Sequence, residues 1–324
     1  MLAPQDPLTI PYTPDLTQAG IAYVQHNLHY IGGQYGGTRP QRLQGIVTEK
    51  IVELAFRRHL TTAQIPHELV ETPSFAAGSD VGVTLGGRRC ELISYLFAER
   101  EIIRAVGADP RQLLQAEALV PKEQLVSERL ADEDVYLFAF LLGLVADDES
   151  ERQKAQQANL PMHLIKPCPK DWARPAHWHS LGTLVLKSDT SAPIKLTLSG
   201  QDADRHLLSE EIMLQPLERA EATNGFYSLT HLYAAAEPNG PVGVHSPVLG
   251  ETLLVEAGDW QNLWVYGMRI ILAGYMTRGE FRRMARVLPP GSSTMPFSHT
   301  AQAYLTVPVH ALHPLADLFA RAQY

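Results

Sequence analysis

Residues Ser79 to Leu96 read S-D-V-G-V-T-L-G-G-R-R-C-E-L-I-S-Y-L, two apolar-rich runs on either side of a Gly-Gly pair. Such a pair accepts positive φ at both central positions of a tight hairpin turn. With Gly86 and Gly87 as the turn, Leu85 faces Arg88, Thr84 faces Arg89, Gly82 faces Glu91 and Asp80 faces Ile93. Side chains alternate across a strand, so Val81, Val83, Leu85, Cys90 and Leu92 share one face. Asp80, Gly82, Thr84, Arg89, Glu91 and Ile93 share the other. The first face suits a core. The second sets two carboxylates about one cross-strand neighbour apart, with a glycine leaving room between them. Folding does not require that pair, although it also fits the wet side of an ordinary antiparallel hairpin.

Upstream, residues 42–59 show a helical stripe at Leu43, Ile46, Val47, Ile51, Leu54 and Phe56. Glu53 borders that stripe and Glu49 lies farther round; either also reads as a solvated helix carboxylate. A helix with a glutamate, then an acid, a short hairpin and a second acid opening Glu-x-x resembles the PD-(D/E)XK nuclease superfamily, over roughly residues 20–105. The resemblance implies a nuclease-like domain with a central mixed sheet flanked by helices. It implies Glu49, Asp80 and Glu91 as metal-binding carboxylates, with Glu53 in reserve and the Cys90 or Leu92 carbonyl completing the set. The metal would be Mg²⁺ or Mn²⁺, the substrate DNA, and the reaction endonuclease hydrolysis of phosphodiester bonds, in a setting such as antiviral or mobile-element defence. One position departs from the family pattern: Ile93 stands where the lysine belongs, two residues after the second acid. Lys50, beside Glu49, and Arg89, on the Glu91 face, are cations that could take over part of its role. Arginine stays charged, so Arg89 could bind phosphate but not act as a base. The departure leaves open a catalytically degenerate nuclease-fold subunit that binds nucleic acid or assembles with protein partners, and an unrelated scaffold in which the hairpin is only a hairpin.

Composition constrains these readings. With 324 residues the chain can bury one large core or two ordinary ones. Its 27 Lys and Arg against 35 Asp and Glu, net charge −8, argue against avid nonspecific nucleic-acid binding. Between Arg39 and Arg104, however, nine basic residues meet eight acidic ones, so this region is nearly neutral. Two cysteines are too few for a disulfide framework or a zinc knuckle, and Cys90 falls on the core face of the hairpin. No apolar run is long enough for a membrane span, and Met-Leu-Ala-Pro-Gln-Asp-Pro has no signal-peptide character; the expectation is a cytoplasmic protein without membrane partners.

The chain as a whole reads as α+β. Residues 1–20 read as an extended arm, 21–31 as a helix, and Gly32-Gly33-Gln34-Tyr35-Gly36-Gly37 as a loop that lacks the Gly-Lys-Ser/Thr ending of a phosphate loop. Segments 98–106 and 113–130 read as helical, and Val135 to Val145 as a buried helix or central strand. A Pro-rich connector, Lys166 to Pro175, divides a nuclease-like domain (1–165) from a β-rich one (170–324), expected to be a sandwich or partial barrel that binds a protein partner. Three further groups have bland readings beside sharper ones. His177-Trp178-His179 on a strand would offer two imidazoles without a third ligand. Gln201 to His206 lacks the spacing of a calcium loop and reads as a polar turn. Trp260, Trp264, Tyr266, Tyr275 and Phe281 suit a core more than a base-stacking surface.

Overall fold

The computed structural model describes residues 7–27, 38–70, 82–125, 131–295, 297 and 299–323. Strand β1 (Leu8–Pro11) leads into helix α1 (Pro14–Asn27), which opens with a proline in its first turn, where a missing N–H costs nothing. The segment expected as an arm is therefore a strand and a helix from residue 8 on. Helix α2 (Arg39–Thr62) starts at a capping box: the Thr38 side chain accepts from the Gln41 N–H, and Gln41 accepts from the Thr38 N–H.

The turn of the hairpin and the three pairs beside it follow as read, while Asp80 and Val81 lie outside the described residues. After β2 (Glu68–Val70), strands β3 (Gly82–Leu85) and β4 (Arg88–Phe97) pair Leu85 with Arg88, Thr84 with Arg89 and Val83 with Cys90. Gly86 and Gly87 take φ of 54° and 72°, the two left-handed conformations that this turn demands. Helix α3 (Arg100–Ala108) and a 3-10 turn (Pro110–Gln115) come next. Here the structure corrects a helical expectation: residues 117–121 form strand β5 (Glu117–Pro121), and among the described residues of 113–125 only the four-residue α4 (Lys122–Leu125) is α-helical. Ala118, Leu119 and Val120 are all buried, which in a strand means that both faces are covered. Strand β6 (Val135–Leu144) carries that logic furthest, with nine consecutive buried residues; it is the central strand, parallel to β4.

Residues 145–264 form a compact unit of their own. It contains α5 (Glu149–Gln157), β7 (Leu164–Pro167), α6 (Lys170–Ala173), β8 (Val185–Ser188), β9 (Ile194–Gln201), β10 (Leu207–Leu214), β11 (Arg219–Glu221), β12 (Ser228–Ala234), β13 (Val242–Ser246), β14 (Glu251–Val255) and β15 (Gln261–Asn262). The strands build a five-stranded sheet, β10-β9-β12-β7-β15, and a four-stranded sheet, β11-β8-β13-β14. Arg152 and Glu237 form a buried ion pair at 3.0 Å, and Arg152 also donates to the Asp147 carbonyl. The Pro-rich stretch 166–175 runs inside this unit, because β7 belongs to the five-stranded sheet.

The chain then returns to the first unit, which comprises 1–144 and 265–324. Strand β16 (Tyr266–Thr277) slots between β1 and β6, completing the order β1-β16-β6-β4-β3-β2. Helix α7 (Arg278–Met284), β17 (Arg286–Leu288), β18 (Tyr304–Pro308) and α8 (Leu315–Ala322) follow, with β17-β18-β5 as a three-stranded sheet. The β texture of 265–309 resembles that of 170–264, yet its partners lie in the first unit. With 31% helix and 36% strand the chain is α+β. Among the described residues no helix is long and apolar enough to cross a membrane.

The central sheet is covered on both faces. On one, Ile93 and Phe97 of β4 and Tyr136, Phe138, Phe140 and Leu142 of β6 pack with Val106, Phe281 and Val307. Phe97 stacks on Phe140 at 4.9 Å. Glu91 lies on this face; near the turn its neighbours Gly82, Thr84 and Arg89 are, like it, only half-buried, and the core closes over the face two residues beyond the acid.

Candidate functional site

Glu91 stands opposite Tyr136 across the parallel β4–β6 pair. Tyr136 is fully buried, and its hydroxyl is pushed up to about 12, first by burial and then by the Glu91 carboxylate; the Arg278 and Arg282 guanidiniums pull the other way. The turn before β6 assembles these groups. The Asp134 carboxylate accepts from the Arg89 N–H at 2.9 Å and from the Ala131 N–H at 2.7 Å. Its carbonyl accepts from the Arg278 N–H at 2.8 Å, and the Asp132 carbonyl from Gly279 at 2.9 Å. Arg282 meets the Asp132 carboxylate at 3.3 Å. A capping box between Thr277 and Glu280 fixes where α7 begins, and so where Arg278 emerges. On the hairpin, the Arg89 Nε lies 3.6 Å from where a Cβ on Gly82 would stand, so a guanidinium borders the room that the glycine leaves. The result is the Glu91 carboxylate and a buried phenol beside arginines on two elements, Arg89 on β4 and Arg278 and Arg282 on α7. Such a group can hold a phosphate by charge-assisted hydrogen bonds.

Asp80 lies outside the described residues. Glu49 is half-buried on α2, and its charge is felt at the Tyr95 and Tyr304 hydroxyls; Tyr95 is held well above the ordinary phenol range, chiefly by burial, and donates to the Leu119 carbonyl at 2.8 Å. Glu91 is felt at Tyr136, so the two glutamates act on different neighbourhoods. Lys50 is committed elsewhere, 2.5 Å from Glu53 and over the Tyr23 ring at 4.4 Å. Glu53, the reserve ligand, is also bound by Arg57 at 2.6 Å. Ile93 is 6% exposed and belongs to the core. Among the described residues no three His, Cys, Asp or Glu side chains gather in a way that could hold a metal ion. Cys90 is buried and its thiol is pushed up to about 12 by that burial, which makes it a small apolar core residue.

Sequence reasoning missed Tyr136, Asp134, Arg278 and Arg282. Asp132, Glu133 and Asp134 flank an apolar run, where acids ordinarily mark a solvated end, and nothing in the local sequence of 278–282 points back to the hairpin. The remaining groups settle into structure. His177 and His179 sit in a loop rather than a strand, exposed, with the His179 Nδ1 2.9 Å from the His177 carbonyl. Asp202 accepts from the Asp204 and His206 N–H groups, closing a polar turn. Trp260, Tyr275 and Phe281 are buried. In the second unit His163 is buried and stacked on Tyr233 at 4.1 Å; its basicity is lowered to about 3, first by burial and then by His231.

No family model matches the chain, and neither a curated protein nor a solved structure does.

Proposed function

We propose that the chain is a metal-dependent nuclease-like protein that hydrolyses DNA phosphodiester bonds, with Glu91 and Asp80, the two acids of the hairpin, as ligands of Mg²⁺ or Mn²⁺. The observation that carries the reading is the setting of the hairpin. A two-glycine turn presents Glu91 on a strand of a mixed sheet, behind a long helix that bears Glu49. When bound, a hard divalent ion supplies Lewis acidity to a phosphoryl oxygen and acidifies its water ligand. Of this chain's own groups, Glu91 offers carboxylate oxygens, and Arg89 and Arg278 offer guanidinium donors to phosphate. Tyr136 stays protonated at neutral pH and contributes a hydroxyl rather than a charge. The β-rich unit, read as a sandwich or partial barrel, serves as the accessory, partner-binding part, and the protein acts in the cytoplasm.

A second reading is favoured by Ile93. The family lysine that orients the attacking water would stand at a position filled by apolar core, and losing such a group lowers a rate by a factor of roughly 10²–10⁴. On this reading the fold is retained to bind nucleic acid or to assemble a complex. Plasmid, linear and single-stranded DNA incubated with the protein in Mg²⁺, Mn²⁺ or EDTA separates the two. Metal-dependent nicking that disappears in Asp80→Ala and Glu91→Ala supports hydrolysis. Intact DNA in every lane, together with DNA retardation by the folded protein, supports the binding subunit. Cleavage that persists in both variants, or in EDTA, rules out this carboxylate site.

A further inference from the structure

We propose that the outer face of the four-stranded sheet in the second unit is a binding groove for a phosphate monoester carried on an apolar or aromatic body. Antiparallel register lays two rows of side chains across that face. One row is Arg219, Lys187, Gly243 and Leu254; the next is Glu221, Val185, His245 and Thr252. Gly243 removes a side chain from the middle of the first row, and the groove there encloses about 460 Å³. That is within the ~300–1,000 Å³ usual for small-molecule sites.

The two walls differ in chemistry. Leu254, 56% exposed, with Pro241 forms an apolar wall across Gly243 from Lys187, and Val185 lies beside Lys187 on β8. Arg219 and Lys187 form the other, directly opposite each other across β11 and β8, where like charges repel. Asp189 meets Lys187 at 3.3 Å. Arg219 has no hydrogen-bond or ion-pair partner among the described residues. The His245 Nδ1 lies 3.0 Å from the Thr252 hydroxyl, which leaves its Nε2 for the groove. A guanidinium fork, an ammonium and an imidazole around one notch suit the three terminal oxygens of a phosphate monoester better than the two of a carboxylate. Glu221 and Asp189 disfavour a second anionic group, so the rest of the ligand is the apolar body resting on Leu254.

The groove stands apart from the nuclease reading and is tested separately, by calorimetric titration of the full chain with 5′-AMP, adenosine, inorganic phosphate and a 5′-phosphorylated oligothymidylate. The expected result is saturable binding of a phosphorylated probe, none of adenosine, and weaker binding of inorganic phosphate than of AMP. AMP alone identifies a free nucleotide as the ligand; the oligomer alone identifies a chain end. Arg219→Ala weakens binding about tenfold or more, since it removes a charge-assisted pair. Gly243→Val fills the notch and abolishes binding with an unchanged thermal melt, because the added Cβ meets only the Thr252 Cγ2 at 3.5 Å and the Lys187 carbonyl at 3.9 Å. Asp189→Asn, which frees Lys187, tightens binding. If Gly243→Val fails to fold, Arg219→Ala decides. Wild-type protein that ignores every phosphorylated probe at millimolar concentration, or binding that Arg219→Ala leaves intact, overturns the proposal.

Discussion

Ile93 shows how much one side chain decides. It lies against the same core as Phe138 and Phe281, two residues beyond Glu91. Ile93→Lys therefore buries an ammonium and should cost at least about 2 kcal/mol in urea unfolding without creating nuclease activity. A variant as stable as wild type would mean that this position opens to water. His163 gives a pH dependence with a definite sign. Its folded pKa, about 3, lies below the ordinary 6.5, so folding favours the neutral ring. The associated stability is complete above about pH 6.5 and falls by roughly 1.4 kcal/mol per unit as pH drops toward 3. Urea midpoints of wild type and His163→Phe at pH 7 and pH 5 should therefore show the wild type losing more of its stability. Both cysteines are buried, so a thiol-reactive dye should label neither in the native protein and both after denaturation. At this scale the hairpin register was legible, because Gly86-Gly87 leaves one way to pair Thr84 with Arg89. The company of Glu91 was not: Tyr136 stands opposite it only through long-range pairing, and Arg278 reaches that phenol from a distant helix.

Among the elements, those whose local sequence carries its own signal matched expectation best. Helix α2 has a capping box and an apolar stripe, and β4 has its turn. Strand β5 was hidden because Leu113 to Leu130 mixes apolar and polar residues at spacings compatible with a helix; pairing with β18 and burial of both faces override that preference. Strand β6 could be told from a buried helix only by the sheet around it. Helix α7 places Arg278 by its first turn, so Thr277→Ala should destabilise the first unit by about 1 kcal/mol. If α7 positions the arginines, the same variant should weaken DNA binding beyond what its loss of stability explains. Unchanged retention on a DNA column would separate the cap from the site.

For the whole molecule, the decisive fact is where the second unit enters. Leu144 and Tyr266 are direct partners across β6 and β16, and the chain between them is a unit with its own sheets. A chain in which a short Gly-Ser turn replaces 145–264 should therefore fold, and 145–264 should fold alone; circular dichroism and a cooperative urea transition check both. No composition shift marks these joints, since the strands on either side of residue 264 have similar texture, whereas the Pro-rich stretch at 166–175 lies within the inserted unit.

That point of entry also sets a schedule for biosynthesis. Strand β6 leaves the ribosome with one edge facing β4 and the other bare, and its antiparallel neighbour β16 emerges only after the whole of 145–264. At 5–20 residues per second the delay is on the order of ten seconds, during which an apolar ribbon lacks its mate. Prompt maturation of the inserted unit, bringing residues 144 and 265 within reach of each other, would shorten the search that β16 must make to close the sheet.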